Sequence, residues 1–342
     1  MDKYYYIAIA VILTFCGVVL LNAPAIPSFD DYYATLYCIK LYYFDNQDFV
    51  DRASVLLLRH NEHRILLSRL TAVLYYDLFR ELNFFHLILF QNLFLIGFIG
   101  LMLYLYRRER QLNSVTFLFI SIFLCSSSFW QVTQFYWGGI QHYTVFFFSF
   151  CCLVVLDKTQ QMLSWKFLGA SFLAVLAVLS FGNGFLALVM GLLLLFAQKK
   201  YRLLLPWLVL TLGLMCFALI IDKTASVPKS TFNVVWMGKL LFTFLGSFLY
   251  LNVPAVHYLN IICCMLVGLG VLAFWIWLSV TGYVFKKPLL YVLFSLPIVT
   301  GILISISRFE SKAAGGVAPR YMFFTATIPV LIILILLDLK MI

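Results

Sequence analysis

The stretch YLNIICCMLVGLGVLAFWIWLSVTGYV, residues 258–284, holds no charged side chain and gives way at once to Lys286-Lys287. As a helix rising 1.5 Å per residue it is long enough to cross the ~30 Å hydrocarbon core of a bilayer. Nine further apolar runs cross or nearly cross: Tyr4–Leu21, Phe84–Tyr106, Ser114–Trp130, Gly139–Leu156, Phe167–Phe181, Phe185–Ala197, Leu203–Ile221, Pro288–Ile306 and Tyr321–Leu337. Phe167–Phe181 and Phe185–Ala197 are short and separated only by Gly182-Asn183-Gly184, which reads as a tight helical hairpin. Hydrophobic residues make up 64% of the 342 and charged residues 11%, whereas a soluble domain holds roughly 45–50% and about 25%. The expectation is an all-α, polytopic membrane protein of about ten transmembrane helices, residues 1–342 forming a single transmembrane domain.

Orientation follows from where Lys and Arg fall, because short cationic loops stay on the cytoplasmic side. Val234–Leu251 is ambiguous. As an eleventh span it would put Lys286-Lys287 outside; as a re-entrant or interfacial element within an outer segment, 222–257, it leaves ten spans and both termini cytoplasmic. The second choice sets twelve cations against four acidic residues inside, and twelve against ten outside. Tyr4–Leu21 is expected to be a retained span, since its eighteen residues exceed the usual ~7–15-residue core of a signal peptide. These features describe a multi-pass membrane protein with two outer segments of interest, 22–83 and 307–320.

The formal charge of +10 has no cationic cluster longer than Arg107-Arg108-Glu109-Arg110, so nucleic acid is not an expected partner. Seven of the eight cysteines sit in apolar runs, where Cys behaves as a small hydrophobe, and no Cys/His spacing suggests a metal.

Chemistry-bearing residues gather in the two outer segments. The first contains Asp30-Asp31 shortly after the first span, then Asn61-Glu62-His63-Arg64. Asp30 and Asp31 read two ways: as a helix cap, or as a repelling carboxylate pair, one pKa raised, suited to acid/base work. Ala53–Leu82 has apolar blocks at helical spacing, with Arg59, Glu62, His63 and Arg69 on one face, and is expected to be an amphipathic helix lying in the membrane interface. On it Arg59 and Arg69 read as solvated, while Glu62, His63 and Arg64 offer the mixed groups of a polar pocket.

The second outer segment carries Arg308, Glu310, Gly315-Gly316 and Arg320-Tyr321 before the last span. Arginine and tyrosine at a helix end serve as snorkelling and interfacial anchors, or as a guanidinium clamp on phosphate. Gln131, Gln134, Gln141 and His142, with Trp130, Tyr136 and Trp137, occupy the connection between the third and fourth spans. Amides among aromatics suit a sugar, although an aromatic belt also explains the rings.

With a paired acid after the first span, an interfacial helix next and Arg320-Tyr321 opening the last span, the chain resembles the GT-C superfamily of polyprenyl-linked membrane glycosyltransferases. It looks most like the bacterial members that modify lipopolysaccharide or O-antigen, which implies a place in a bacterial inner membrane. The resemblance implies a GT-C-like fold and a base toward the acceptor hydroxyl at Asp30 or Asp31. Many members carry a soluble domain after their spans, and the last span here is followed only by Asp338 to Ile342.

The expected activity is inverting transfer of a sugar from a polyprenyl-phosphate donor to a saccharide or lipid-linked acceptor on the outer face. Catalysis falls to Asp30 and Asp31, and substrate binding to Glu62, His63, Arg64, Gln141, His142, Arg308, Arg320 and Tyr321. No cofactor and no obligatory metal is called for, since arginines meet the charge of a lipid monophosphate. The competing functions are a transporter or flippase of a lipid-linked saccharide, and an O-antigen polymerase or ligase. Transporters place ionisable groups near mid-membrane, often in repeated halves, and neither feature is visible.

Overall fold

The computed structural model describes residues 2–45, 48–60, 63–220, 233–251, 257–308 and 317–341. Helix α1 is Lys3–Asn22; a helical stretch over 32–45 follows, π-type at Tyr32–Leu36 and Leu41–Asp45 around the α-helical turn α2, Tyr37–Lys40. Next come α3 (Phe49–Leu57), two short strands β1 (Arg59–His60) and β2 (His63–Arg64), and α4 (Leu66–Phe79). The remaining helices are α5 (Phe84–Arg108), α6 (Ser114–Leu124), α7 (Trp130–Gln134), α8 (Tyr136–Asp157), α9 (Trp165–Ser180), α10 (Phe185–Ala197), α11 (Tyr201–Ile220), α12 (Val234–Gly246), α13 (His257–Val280), α14 (Tyr283–Lys286), α15 (Pro288–Arg308) and α16 (Pro319–Asp338).

Among the described residues seven helical stretches are long and apolar enough to cross a membrane: α1, α5, α6 through α7, α8, α13, α15 and α16. Trp165–Ser180, Gly182–Ala197, Tyr201–Phe217 and Val234–Leu249 are shorter and apolar. The described residues are therefore helical apart from the β1–β2 hairpin and short connections, as suits a membrane-embedded protein. The boundaries of the seven long stretches fall within a few residues of those expected, because hydropathy is a property of each segment alone.

The first outer segment departs from expectation. The continuous interfacial helix over 53–82 is broken into α3, the antiparallel hairpin with His60 opposite His63, and α4. The six residues Arg59 to Arg64 are all polar, so no apolar side chain continues the stripe a surface helix needs. The break is closed by two arginines. Arg64 Nη1 donates to Leu57 O at 2.6 Å, and Arg69 Nη1 donates to Val55 O at 3.2 Å and to Leu58 O. These are carbonyls of the α3 C-terminus, where cations are favoured. Arg69 is thus 5% exposed, not solvated.

The chain packs as two compact units, residues 1–149 with 175–184, and residues 150–174 with 185–342. In the first, Val19, Ile39, Val73, Phe84, Ile88 and Tyr136 form one apolar core. The break between α7 and α8 leaves helix-end carbonyls in an apolar surround. Gln91 of α5 donates to Val132 O and Phe135 O, and Asn92 to Thr133 O, which satisfies groups that are costly to leave bare. Gln91 reaches them because Gly139 has no side chain: a Cβ there would sit 2.1 Å from Gln91 Nε2.

In the second unit α12 and α13 meet backbone to backbone. A Cβ on Gly246 would lie 2.0 Å from Cys264 O, and one on Gly268 1.9 Å from Phe242 O. Such small-residue contacts let apolar helices gain dispersion where no hydrophobic drive separates helix from lipid. Ser247 follows α12 and bonds Thr325 of α16 at 2.9 Å, and Lys287 pairs with Asp338 at 2.7 Å.

Candidate functional site

The turn Ser28-Phe29-Asp30-Asp31 is built by reciprocal bonds. Asp31 N–H donates to Ser28 O at 3.0 Å, and Asp31 Oδ2 accepts from Ser28 N–H at 3.2 Å. Phe29 takes φ +51° to make it, an uncommon conformation for a bulky side chain and one that neighbouring contacts must hold. Its ring packs on Phe135 at 4.9 Å and Trp137 at 6.4 Å.

The two aspartates then part company. Asp31 is 1% exposed, and its Oδ1 accepts the Trp137 N–H at 2.9 Å, in the first turn of α8. It is a cap after all, but for a helix more than a hundred residues away in sequence rather than for the turn that follows it. Burial pushes its carboxyl up to about 7 from 3.8, against the two N–H bonds that favour the ion; the charge of Asp30 adds least. The expected carboxylate repulsion is therefore a minor cause. Asp30 is the available group: its side chain is 49% exposed, and its Oδ2 lies 4.0 Å from His60 Nε2.

His60 was not among the residues that sequence alone singles out. The β1–β2 hairpin carries it to Asp30, and the hairpin is in turn held by Arg64 and Arg69. His63 is in β2, opposite His60, while Asn61 and Glu62 lie outside the described residues. Arg64 is buried and bonded to the α3 C-terminus, which gives it a structural task.

Gln141 and His142 do not lie in a loop. They occupy the second turn of α8, at 4% and 1% exposure. Gln141 falls one turn beyond Trp137 on the same helix face, and its Nε2 has no hydrogen-bond partner among the described residues, as is true of Gln131 Oε1. His142 Nδ1 lies 2.7 Å from Gly138 O, a carbonyl that only accepts, and so carries a ring proton. The first unit thus brings together Asp30, Asp31, His60 and Trp137, with Gln141 and His142 deeper along α8.

No protein-family model matches the chain, and no curated protein and no solved structure matches it significantly. What the site does is left to its own chemistry.

A groove of about 390 Å³ lies beside α1, lined by Ile7, Val11, Phe15 and Val18 with Trp130 and Gln134. Trp130 is 5.6 Å from Phe135, which in turn packs on Phe29. A run of aromatic rings therefore joins an apolar groove to the residue next to Asp30. Among the described residues no three His, Cys, Asp or Glu side chains gather as a metal site.

Arg308, Arg320 and Tyr321 belong to the second unit. Arg308 ends α15, where a cation is favoured. Arg320 stands second in α16, after Pro319, where the helix dipole disfavours a cation. Its guanidinium lies 5.1 Å from the ring centre of Tyr321, a cation–π contact. Glu310, Lys312 and Gly315-Gly316 lie outside the described residues.

Proposed function

We propose that the protein is a GT-C-like membrane glycosyltransferase, moving a sugar from a polyprenyl-phosphate donor to a hydroxyl of a saccharide or lipid-linked acceptor. The observation that carries this is the division between the aspartates: one carboxylate buried as a pedestal, its neighbour half-exposed beside a histidine. A base must be reachable by the proton it takes, and rigidly aimed. Asp30 is reachable, with His60 4.0 Å away to orient it, whereas Asp31 is firmly held but buried.

In the reaction Asp30 takes the acceptor hydroxyl proton, and the freed oxygen forms a bond to the anomeric carbon. The bond from that carbon to the phosphate oxygen breaks, its electron pair leaves with the lipid phosphate, and the configuration inverts. His60 holds the Asp30 carboxylate. The buried amide of Gln141 is a donor suited to a sugar hydroxyl, and the groove beside α1 suits the donor's hydrocarbon chain. The charge of the leaving lipid phosphate calls for cations that donate charge-assisted bonds. Ten spans, cytoplasmic termini and a reacting face toward the periplasm complete the proposal.

The test is transfer by reconstituted protein, across a panel of polyprenyl-phosphate sugars, with Asp30→Asn beside the parent. Asp30→Asn should lose ~100-fold or more in kcat while inserting and unfolding like the parent. A fully active Asp30→Asn protein would remove the base and the proposal with it.

A further inference from the structure

The second unit holds a different kind of polar feature. The connection from α8 to α9 carries Lys158, with Lys166 in the first turn of α9, and the one from α10 to α11 carries Lys199 and Lys200, with Arg202 in the first turn of α11. The two connections are tied together: Lys200 Nζ donates to Asp157 O at 2.7 Å, and Gln198 Nε2 donates to the Asp157 carboxylate. Asp157 thus joins the two cationic segments into one patch, its carboxylate accepting from Gln198 and its carbonyl from Lys200.

Within the patch lies a cleft of about 350 Å³, walled by Lys158, Lys166, Gln160, Gln161, Ser164 and Trp165. Its polar side chains offer ammonium and amide donors, groups that bind a phosphate and its ester oxygens. Its rim is the reverse. Leu163 is 93% exposed, Trp165 89% and Met162 51%. A free phosphate has no use for such a rim, whereas a lipid presents phosphate and acyl chain side by side. Tryptophan sits readily at that level of a membrane, its ring part apolar and part polar.

We propose that this cleft binds the headgroup of an anionic phospholipid, with Lys158 and Lys166 at the phosphate and Leu163 and Trp165 against the glycerol and upper acyl chain. The site is independent of sugar transfer. It anchors the basic edge of the second unit to negatively charged lipid, where each cation near the surface adds to the attraction.

The experiment is native mass spectrometry of the full chain, released from an uncharged detergent and titrated with phosphatidylglycerol, phosphatidylcholine or glycerol 1-phosphate. The parent should hold phosphatidylglycerol in preference to phosphatidylcholine. K158A/K166A should weaken phosphatidylglycerol by about tenfold or more and leave phosphatidylcholine unchanged. K286A/K287A, which removes the same charge elsewhere, should keep parental binding. L163S should weaken the lipid but not glycerol 1-phosphate. Parental phosphatidylglycerol affinity in K158A/K166A, or an equal loss in K286A/K287A, overturns the site. Glycerol 1-phosphate binding as tightly as the lipid overturns the lipid as its occupant.

Discussion

Helices α1 and α8 are both apolar enough to cross a membrane, and they live in opposite surroundings. In the most apolar eighteen-residue window of each, 11% of α1 is buried and 83% of α8. The less apolar helix is the more enclosed. In water that order would be perverse, but in lipid a polar side chain has to turn inward to find a partner. Helix α8 carries Gln141, His142, Thr144 and Ser149, all buried, while α1 shows Leu13, Leu20 and Tyr6 outward. Hydropathy therefore locates spans, and the residual polarity of a span tells which faces protein.

The sharpest way to break this contrast is at the start of α8. Gly139→Val places a side chain where Gln91 Nε2 and Val132 O already stand, at 2.1 and 2.3 Å from the first carbon. Overpacking of this kind costs about 3 kcal/mol, and thermal unfolding in detergent should show it as a large fall in midpoint. Gln91→Leu comes next. It keeps the volume but strips donors from the carbonyls of Val132 and Phe135, for a loss of about 1–3 kcal/mol. An unchanged midpoint would mean that other groups satisfy those carbonyls.

Asp31 sharpens the comparison through pH. Because burial raises its folded pKa to about 7 from 3.8, the folded protein keeps a proton that the unfolded chain gives up near pH 4. The stability it contributes is fully present below that pH and is lost as pH rises through about 7. Unfolding midpoints from pH 4 to 8 should fall more steeply in the parent than in Asp31→Asn, which does not ionise. Asp30 and His60 are present in both proteins, so the difference between the two curves isolates Asp31. Parallel curves would show that the two N–H bonds outweigh burial and keep the carboxylate charged throughout.

The smallest effect belongs to α1. Leu13 is 65% exposed, and Leu13→Ala should move stability by no more than ~0.5 kcal/mol. A loss of several times that would mean that α1 is covered by protein rather than lipid.

His60 shows why part of the site was hidden in the sequence. It stands thirty residues from Asp30, and only the hairpin joins them. The hairpin was masked by helical spacing on either side of it, although six consecutive polar residues, Arg59 to Arg64, were a visible sign that no helix face continues there. Arg69 was misread for the same reason: on an unbroken helix it faces water, and on a broken one it closes the end of α3. Gln141 and His142 already fall inside the apolar run Gly139–Leu156, and α8, which begins still earlier at Tyr136 with Asp31 supplying the cap, sets them in its second turn.

From sequence alone the chain is a membrane protein of many helices, with carboxylates and arginines confined to a few polar connections. Transfer into lipid is summed residue by residue along a segment, so that much needs no knowledge of neighbours. Tertiary structure alone decided which aspartate is buried and which is open, that a histidine stands beside the open one, and that two arginines hold the hairpin carrying it. A hydrogen bond depends on which groups the fold brings within about 3 Å, and no local pattern records a partner a hundred residues away.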